Sequence, residues 1–171
     1  LIRALKEILK KTKIPLMLFL VGGGSYLNNF RQLAKNLNIK QFINFTDQVS
    51  YKQVVYFYQM ADIFVFSYLT DTQGIFILEA MACGLPVVAL KDDAFVEFII
   101  ENKNGFLIEK NSLNIFGEKV LEILENSELY EKLSANSLRI ASQFSEKKQA
   151  EKLAAIYQKF IKKGSTSRGS A

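Results

Sequence analysis

Residues 62–90 read DIFVFSYLTDTQGIFILEAMACGLPVVAL. The run DIFVFSY (62–68) is short, continuously apolar and rich in β-branched and aromatic residues, the pattern of a strand buried on both faces. The chain then turns through LTDTQG, a helix is predicted from Ile75 to about residue 84, and PVVAL (86–90) repeats the strand pattern. Two buried strands joined by one helix make a parallel pair with a right-handed crossover. Within that helix Glu79 has Ile75 to Leu78 before it and Ala80, Met81 and Ala82 after it. A carboxylate taken from water without a polar partner is costly, so something must meet it.

The same alternation extends outward. PLMLFLVG (15–22), QFINFT (41–46) and GFLI (105–108) read as further buried strands, and amphipathic stretches at 2–12, 26–37, 51–61, 75–84 and 94–102 read as helices. The fold class is therefore α/β: a Rossmann-like parallel sheet of about five strands with helices on both faces. From residue 112 the strands stop. Three helices are predicted, opening on Ser112, Ser127 and Ser145 as N-caps. In the last of them Ala150, Leu153, Ile156, Tyr157, Phe160 and Ile161 form one apolar stripe, read as core packing. The tail GSTSRGSA (164–171) is small and polar, in keeping with a flexible end or an expression scar.

Composition removes several chemistries. The 171 residues contain no His and one Cys, Cys83, which excludes from this chain His-based triads, internal disulfides and Cys-based zinc sites. Cys83 reads as a packed residue rather than a nucleophile, and a reducing cytoplasm fits. No apolar run approaches the roughly 18 residues that span a bilayer. The net charge of +5 suits an anionic partner such as a nucleotide, a nucleic acid or a membrane surface, although lysines on polar helix faces also look like this. The chain begins at Leu1 inside a predicted helix, as a piece of a longer protein would.

Two loops carry possible chemistry. VGGGS (21–25) lies between a strand and a helix, the setting of a dinucleotide-binding turn, but the third glycine of that fingerprint would fall on Leu27. A tight βα turn is the reading retained. The loop LTDTQG is different. The first amides of the following helix have no intrahelical partners and carry the positive end of its dipole, at the sheet edge where α/β proteins bind ligands. Gly74 would let a diphosphate approach the backbone with no Cβ in the way. Asp71 and Glu79 can then border one crevice and accept hydrogen bonds from hydroxyls at the two ends of a sugar nucleotide. The plainer alternative is that Asp71 caps the helix and Glu79 is partly exposed. No Asp-x-Asp motif is present to hold a metal, so a metal-free site is expected.

DTQGIFILEAMACGLPVVA resembles the signature of retaining GT-B glycosyltransferases of the large family 4, in which an acid, seven residues and a Glu precede A-M-A-x-G-x-P-V-V. PLMLFLVGGGS, FINFTDQV, YQMADIFVF, NKNGFLI and FSEKKQAEKLAAIYQKF resemble other segments of that family in the same order, so the resemblance covers residues 1–163. By position it implies that Glu79 holds the ribose hydroxyls of a nucleotide and that Asp71, the catalytic-site acid, touches hydroxyls of the transferred hexose. Backbone amides of Gln73, Gly74, Ile75 and Phe76 would serve hexose and diphosphate, and backbone at Val49 the base. Where the family carries a glycine pair this chain has Asp93 and Ala94, and Glu97 keeps its place.

The resemblance implies the C-terminal half of a GT-B fold: a donor domain at 1–163, truncated at its N-terminal edge, and a tail at 164–171. The preceding strand, with its diphosphate-neutralising arginine and lysine, and the N-terminal acceptor domain would lie outside the chain, leaving it incapable of turnover alone. DTQG resembles the E-T-Q-G of bacterial diacylglycerol glucosyltransferases. A UDP-sugar donor, a membrane-lipid acceptor, no nucleic-acid partner and a cytoplasmic location peripheral to the inner face of the plasma membrane are the implied expectations. Polysaccharide or lipopolysaccharide assembly is the alternative acceptor class. A nicotinamide-binding or non-catalytic Rossmann-like module is the alternative of another kind.

Overall fold

A computed structural model describes residues 1–67 and 74–166. The five strands among the described residues are β1 (Leu18–Leu20), β2 (Ile43–Phe45), β3 (Phe64–Phe66), β4 (Val87–Leu90) and β5 (Gly105–Ile108). The helices are α1 (Ile2–Lys11), α2 (Leu27–Asn36), α3 (Tyr51–Met60), α4 (Ile75–Ala82), α5 (Leu113–Glu125), α6 (Ser127–Ala141) and α7 (Glu146–Thr166). Every strand pairing is parallel, with Leu18 opposite Ile43, Phe64 opposite Val87, and Val87 opposite Gly105. This is the doubly wound arrangement expected from continuous apolar strands. Among the described residues the strands form two ladders, β1–β2 and β3–β4–β5, with no hydrogen-bonded pairing between them.

Strand β4 shows why its sequence is apolar at every position. Val87 and Ala89 face a core made with Ile77 and Met81 of α4 and Ile140 of α6. Val88 faces the other way, into a core with Phe106, Phe116 and Val120 and with Ala4 and Ile8 of α1. A period-2 strand between two helical layers must be hydrophobic on both faces. Helix α1 joins the two ladders: Ala4 and Ile8 belong to the β4–β5 core, whereas Ile2 and Leu5 pack with Ala34, Ile39 and Ile43 beside β1–β2.

Three expectations are corrected. Residues 94–102 form successive turns, not a helix. The reason is Asn104, fully buried, whose Oδ1 accepts from the Ile100 amide at 2.8 Å and whose Nδ2 donates to the Phe98 carbonyl at 2.9 Å. Those two bonds take backbone groups that a helix would use. The N-cap of α6 is Asn126, whose side chain accepts from the Leu129 amide at 3.0 Å, and Ser127 is the first helical residue. The stripe on α7 is not core packing: Leu153, Ile156, Tyr157, Phe160 and Ile161 are 51–72% exposed. Helix α7 runs to Thr166, into the first three residues of the segment expected to be a flexible tail.

Candidate functional site

Helices α3 and α4 each begin at the C-terminal end of the strand before them, β2 and β3 respectively. In a parallel sheet that edge is where loops gather and where helix N-termini point their free amides. Asp71 and Gln73, and the expected roles for them, lie outside the described residues.

Gly74 is the N-cap of α4 and adopts the left-handed conformation, φ 57° and ψ 22°. Its carbonyl accepts the first turn's bond from the Ile77 amide at 2.9 Å. A Cβ at this position would meet Cε2 of Phe98 at 3.2 Å and Cδ1 of Phe95 at 3.4 Å. The glycine is therefore demanded by the backbone conformation and by the aromatic rings packed against it. Phe76 turns its ring inward, 4.3 Å from Phe66 and 6.2 Å from Phe95 between centroids, and so has backbone rather than side chain to offer a ligand. Ile75 is 54% exposed.

Glu79 stands in the second turn of α4, half-buried. Its carboxylate is met by two phenols from α3: Tyr51 donates to Oε1 at 2.8 Å and Tyr58 donates to Oε2 at 3.2 Å. Tyr58 is buried, packs with Ala80 and Leu85, and lies edge-on to Phe64 at 5.8 Å. Tyr51 is exposed at the head of α3, which is fixed by a capping box between Ser50 and Gln53. Val49, half-buried, immediately precedes that cap. The structure thus brings the Val49 segment and Glu79 together through Tyr51.

Sequence reading missed the tyrosine pair. The available signal was their spacing: seven residues are two helical turns, so both side chains fall on one face of α3. Both phenols are pushed above their ordinary range. For Tyr58 burial is the main cause and the charge of Glu79 the next; for Tyr51 the hydrogen bond to Glu79 leads. The Cys83 thiol is also raised, first by burial and then by Glu79, which fits a packed residue and not an activated nucleophile.

The VGGGS turn keeps the role assigned to it. Gly22 and Gly24 have φ of 122° and 148°, and Leu27 opens α2. A surface concavity of about 330 Å³ lies at the opposite end of the sheet, against Ile14, Pro15 and Leu16 before β1 and Phe42 before β2. It is remote from the chemistry described here. No helix among the described residues is long and apolar enough to cross a membrane.

The chain is similar to known proteins over most of its length. An uncharacterized glycosyltransferase of Haemophilus influenzae is 32% identical over 132 residues, covering 77% of this chain and 37% of the relative. Alpha-monoglucosyldiacylglycerol synthase of Acholeplasma laidlawii is 28% identical over 144 residues, covering 84% of this chain and 36% of the relative. The chain thus spans little more than a third of these relatives' length. Among solved structures, the G117R mutant of S. aureus TarM in complex with fondaparinux, alpha-GlcNAc-glycerol and UDP superposes with a TM-score of 0.82 at 22% identity, covering 91% of this chain and 31% of TarM. The fold is accordingly that of the C-terminal half of a GT-B enzyme. The Glycosyl transferases group 1 family matches residues 1–139, and the chain belongs to that family, of GT-B architecture.

Proposed function

We propose that this chain is the donor-binding part of a hexosyltransferase that takes a UDP-sugar and passes its hexose, with retention of configuration, to a membrane-lipid acceptor of the diacylglycerol type. One observation carries the reading: a carboxylate, Glu79, stands near the C-terminal edge of a parallel sheet in an otherwise apolar helix, held in place by hydroxyls. Glu79 accepts from the ribose hydroxyls. Backbone amides of Gln73, Gly74, Ile75 and Phe76 meet the hexose and diphosphate, since a helix N-terminus such as that of α4 favours negative charge. Backbone at Val49 meets the base, and Asp71 accepts from the hexose. A UDP-bound solved structure of the same fold and a lipid-glucosylating relative support the choice of donor and acceptor.

No metal takes part in this scheme, because backbone amides and residues outside the chain carry the diphosphate charge. A longer protein supplies the acceptor domain and a strand before α1. The unjoined edges of β1 and β3, bridged by α1, support such a strand. The test is a titration of the chain with UDP, UDP-glucose, GDP and NADH, with and without EDTA, followed by amide chemical shifts. UDP is expected to bind weakly, insensitive to EDTA, to move the amides of residues 73–76 and Val49, and to give no sugar transfer from the chain alone. Shifts with NADH and none with UDP overturn the reading. Acceptor class is tested in the longer protein with diacylglycerol vesicles against a soluble glycan acceptor.

A further inference from the structure

The two side chains that hold Glu79 at both of its oxygens have so far been given no part in choosing the ligand. Tyr51 takes Oε1 at 2.8 Å and Tyr58 takes Oε2 at 3.2 Å. An ionised carboxylate has about four lone-pair sites, two on each oxygen. One phenol on each oxygen leaves one acceptor position on each. Two acceptor positions side by side, in a carboxylate whose rotation is stopped from both ends, match two neighbouring hydroxyls on adjacent carbons.

The two tyrosines differ in how firmly they hold. Tyr58 is 9% exposed, wedged against Ala80, Leu85 and Phe64, so its hydroxyl has little freedom to leave Glu79. Tyr51 is 73% exposed and can exchange its bond for water. Both phenols are donors at neutral pH: their ionisation is resisted chiefly by burial at Tyr58 and by the hydrogen bond to Glu79 at Tyr51. Without the pair, Glu79 could turn about its side-chain torsions and offer its oxygens in several directions, at an entropic cost to any ligand that must select one.

We propose that Tyr58, assisted by Tyr51, is a positioning residue that presents the two free acceptor sites of Glu79 to a vicinal diol, and so makes the site selective for a ribonucleotide over a nucleotide lacking those hydroxyls. The inference rests on the nucleotide reading given under Proposed function and adds to it the residues that set the diol selectivity. It does not require Tyr51 or Tyr58 to touch the ligand.

The experiment crosses two ligands with three proteins. Wild-type chain, Tyr58→Phe and Tyr51→Phe are each titrated with UDP and with 2′,3′-dideoxy-UDP, and their thermal unfolding is recorded. Wild type is expected to prefer UDP. Tyr58→Phe should weaken UDP about fivefold to tenfold, the scale of one ordinary intramolecular hydrogen bond, while leaving 2′,3′-dideoxy-UDP unchanged. Tyr51→Phe should show the same selectivity with a smaller loss, about twofold to threefold, in keeping with a bond exposed to water. Equal weakening of both ligands, or no weakening of UDP, overturns the inference while leaving the nucleotide reading intact. No binding of UDP to the wild type overturns the nucleotide reading itself. Should Tyr58→Phe fail to fold, Tyr51→Phe, on the surface, decides the question.

Discussion

Gly74→Ala is the sharpest test of how the head of α4 is built. Gly74 sits at φ 57°, ψ 22°, where an L-residue with a Cβ is disfavoured by about 1–2 kcal/mol. The added methyl would also stand 3.2 Å from Phe98 and 3.4 Å from Phe95, rings belonging to the buried core between α4 and β4. Overpacking of this kind costs about 1–3 kcal/mol, reduced here because the contacts are tight rather than impossible. Against this, alanine restricts the unfolded chain and returns about 0.4–1 kcal/mol. The expected net loss is about 2–3 kcal/mol, or a fall in Tm of roughly 4–12 °C for a chain of this size. Urea unfolding followed by circular dichroism measures it, with Gly23→Ala as the reference. Gly23 is not in the left-handed region, and its Cβ would meet Gln48 at an ordinary 3.4 Å. A change within about 0.5 kcal/mol is expected there. If Gly74→Ala costs no more than Gly23→Ala, the left-handed cap over Phe95 and Phe98 is not what fixes this turn.

Glu79→Ala should reduce stability by about 1–3 kcal/mol, because the buried Tyr58 hydroxyl loses its acceptor, and should reduce UDP affinity by a further 1.5–3 kcal/mol. Glu79→Gln, which keeps an acceptor oxygen, should restore most of the stability in urea titrations and little of the binding in calorimetry. Folding holds the Tyr58 proton more tightly than the unfolded chain does, chiefly through burial and then through Glu79. Its stabilising share is therefore complete below pH 10 and lost as pH rises from about 10 toward the raised folded value. Unfolding free energies measured across that alkaline range should fall with pH, and should fall less steeply in Tyr58→Phe.

The fold was legible because burial on both faces leaves a direct mark on a strand. Val87, Val88 and Ala89 face two different cores, and only an unbroken apolar run satisfies both. What the sequence concealed was set by contacts between distant residues. The segment 94–102 has helical periodicity, yet the side chain of Asn104 takes the Ile100 amide and the Phe98 carbonyl. The stripe on α7 shows which face is apolar but not whether anything covers it, and within this chain it stays exposed. At the site, Glu79 stood out locally as a carboxylate in an apolar helix. Its partners did not, because Tyr51 and Tyr58 lie 28 and 21 residues upstream and meet it only after α3 packs on α4.

The position of those tyrosines ties the site to the division of the sheet. Helix α3 follows β2, in one ladder, and α4 follows β3, in the other. The two phenol–carboxylate bonds therefore join the halves at the C-terminal edge of the strands, and α1 joins them through Ile2 and Leu5 on one side and Ala4 and Ile8 on the other. The tie through α1 is apolar and non-directional, so it holds the halves together without fixing their alignment to a fraction of an ångström. The tie through Glu79 is directional, and a ligand that engages both the Val49 segment and Glu79 would be read by both halves at once. A site built in this way loses its geometry when either half shifts, which is the physical reason to expect a positioning bond such as Tyr58–Glu79 at the seam and not in the middle of a ladder.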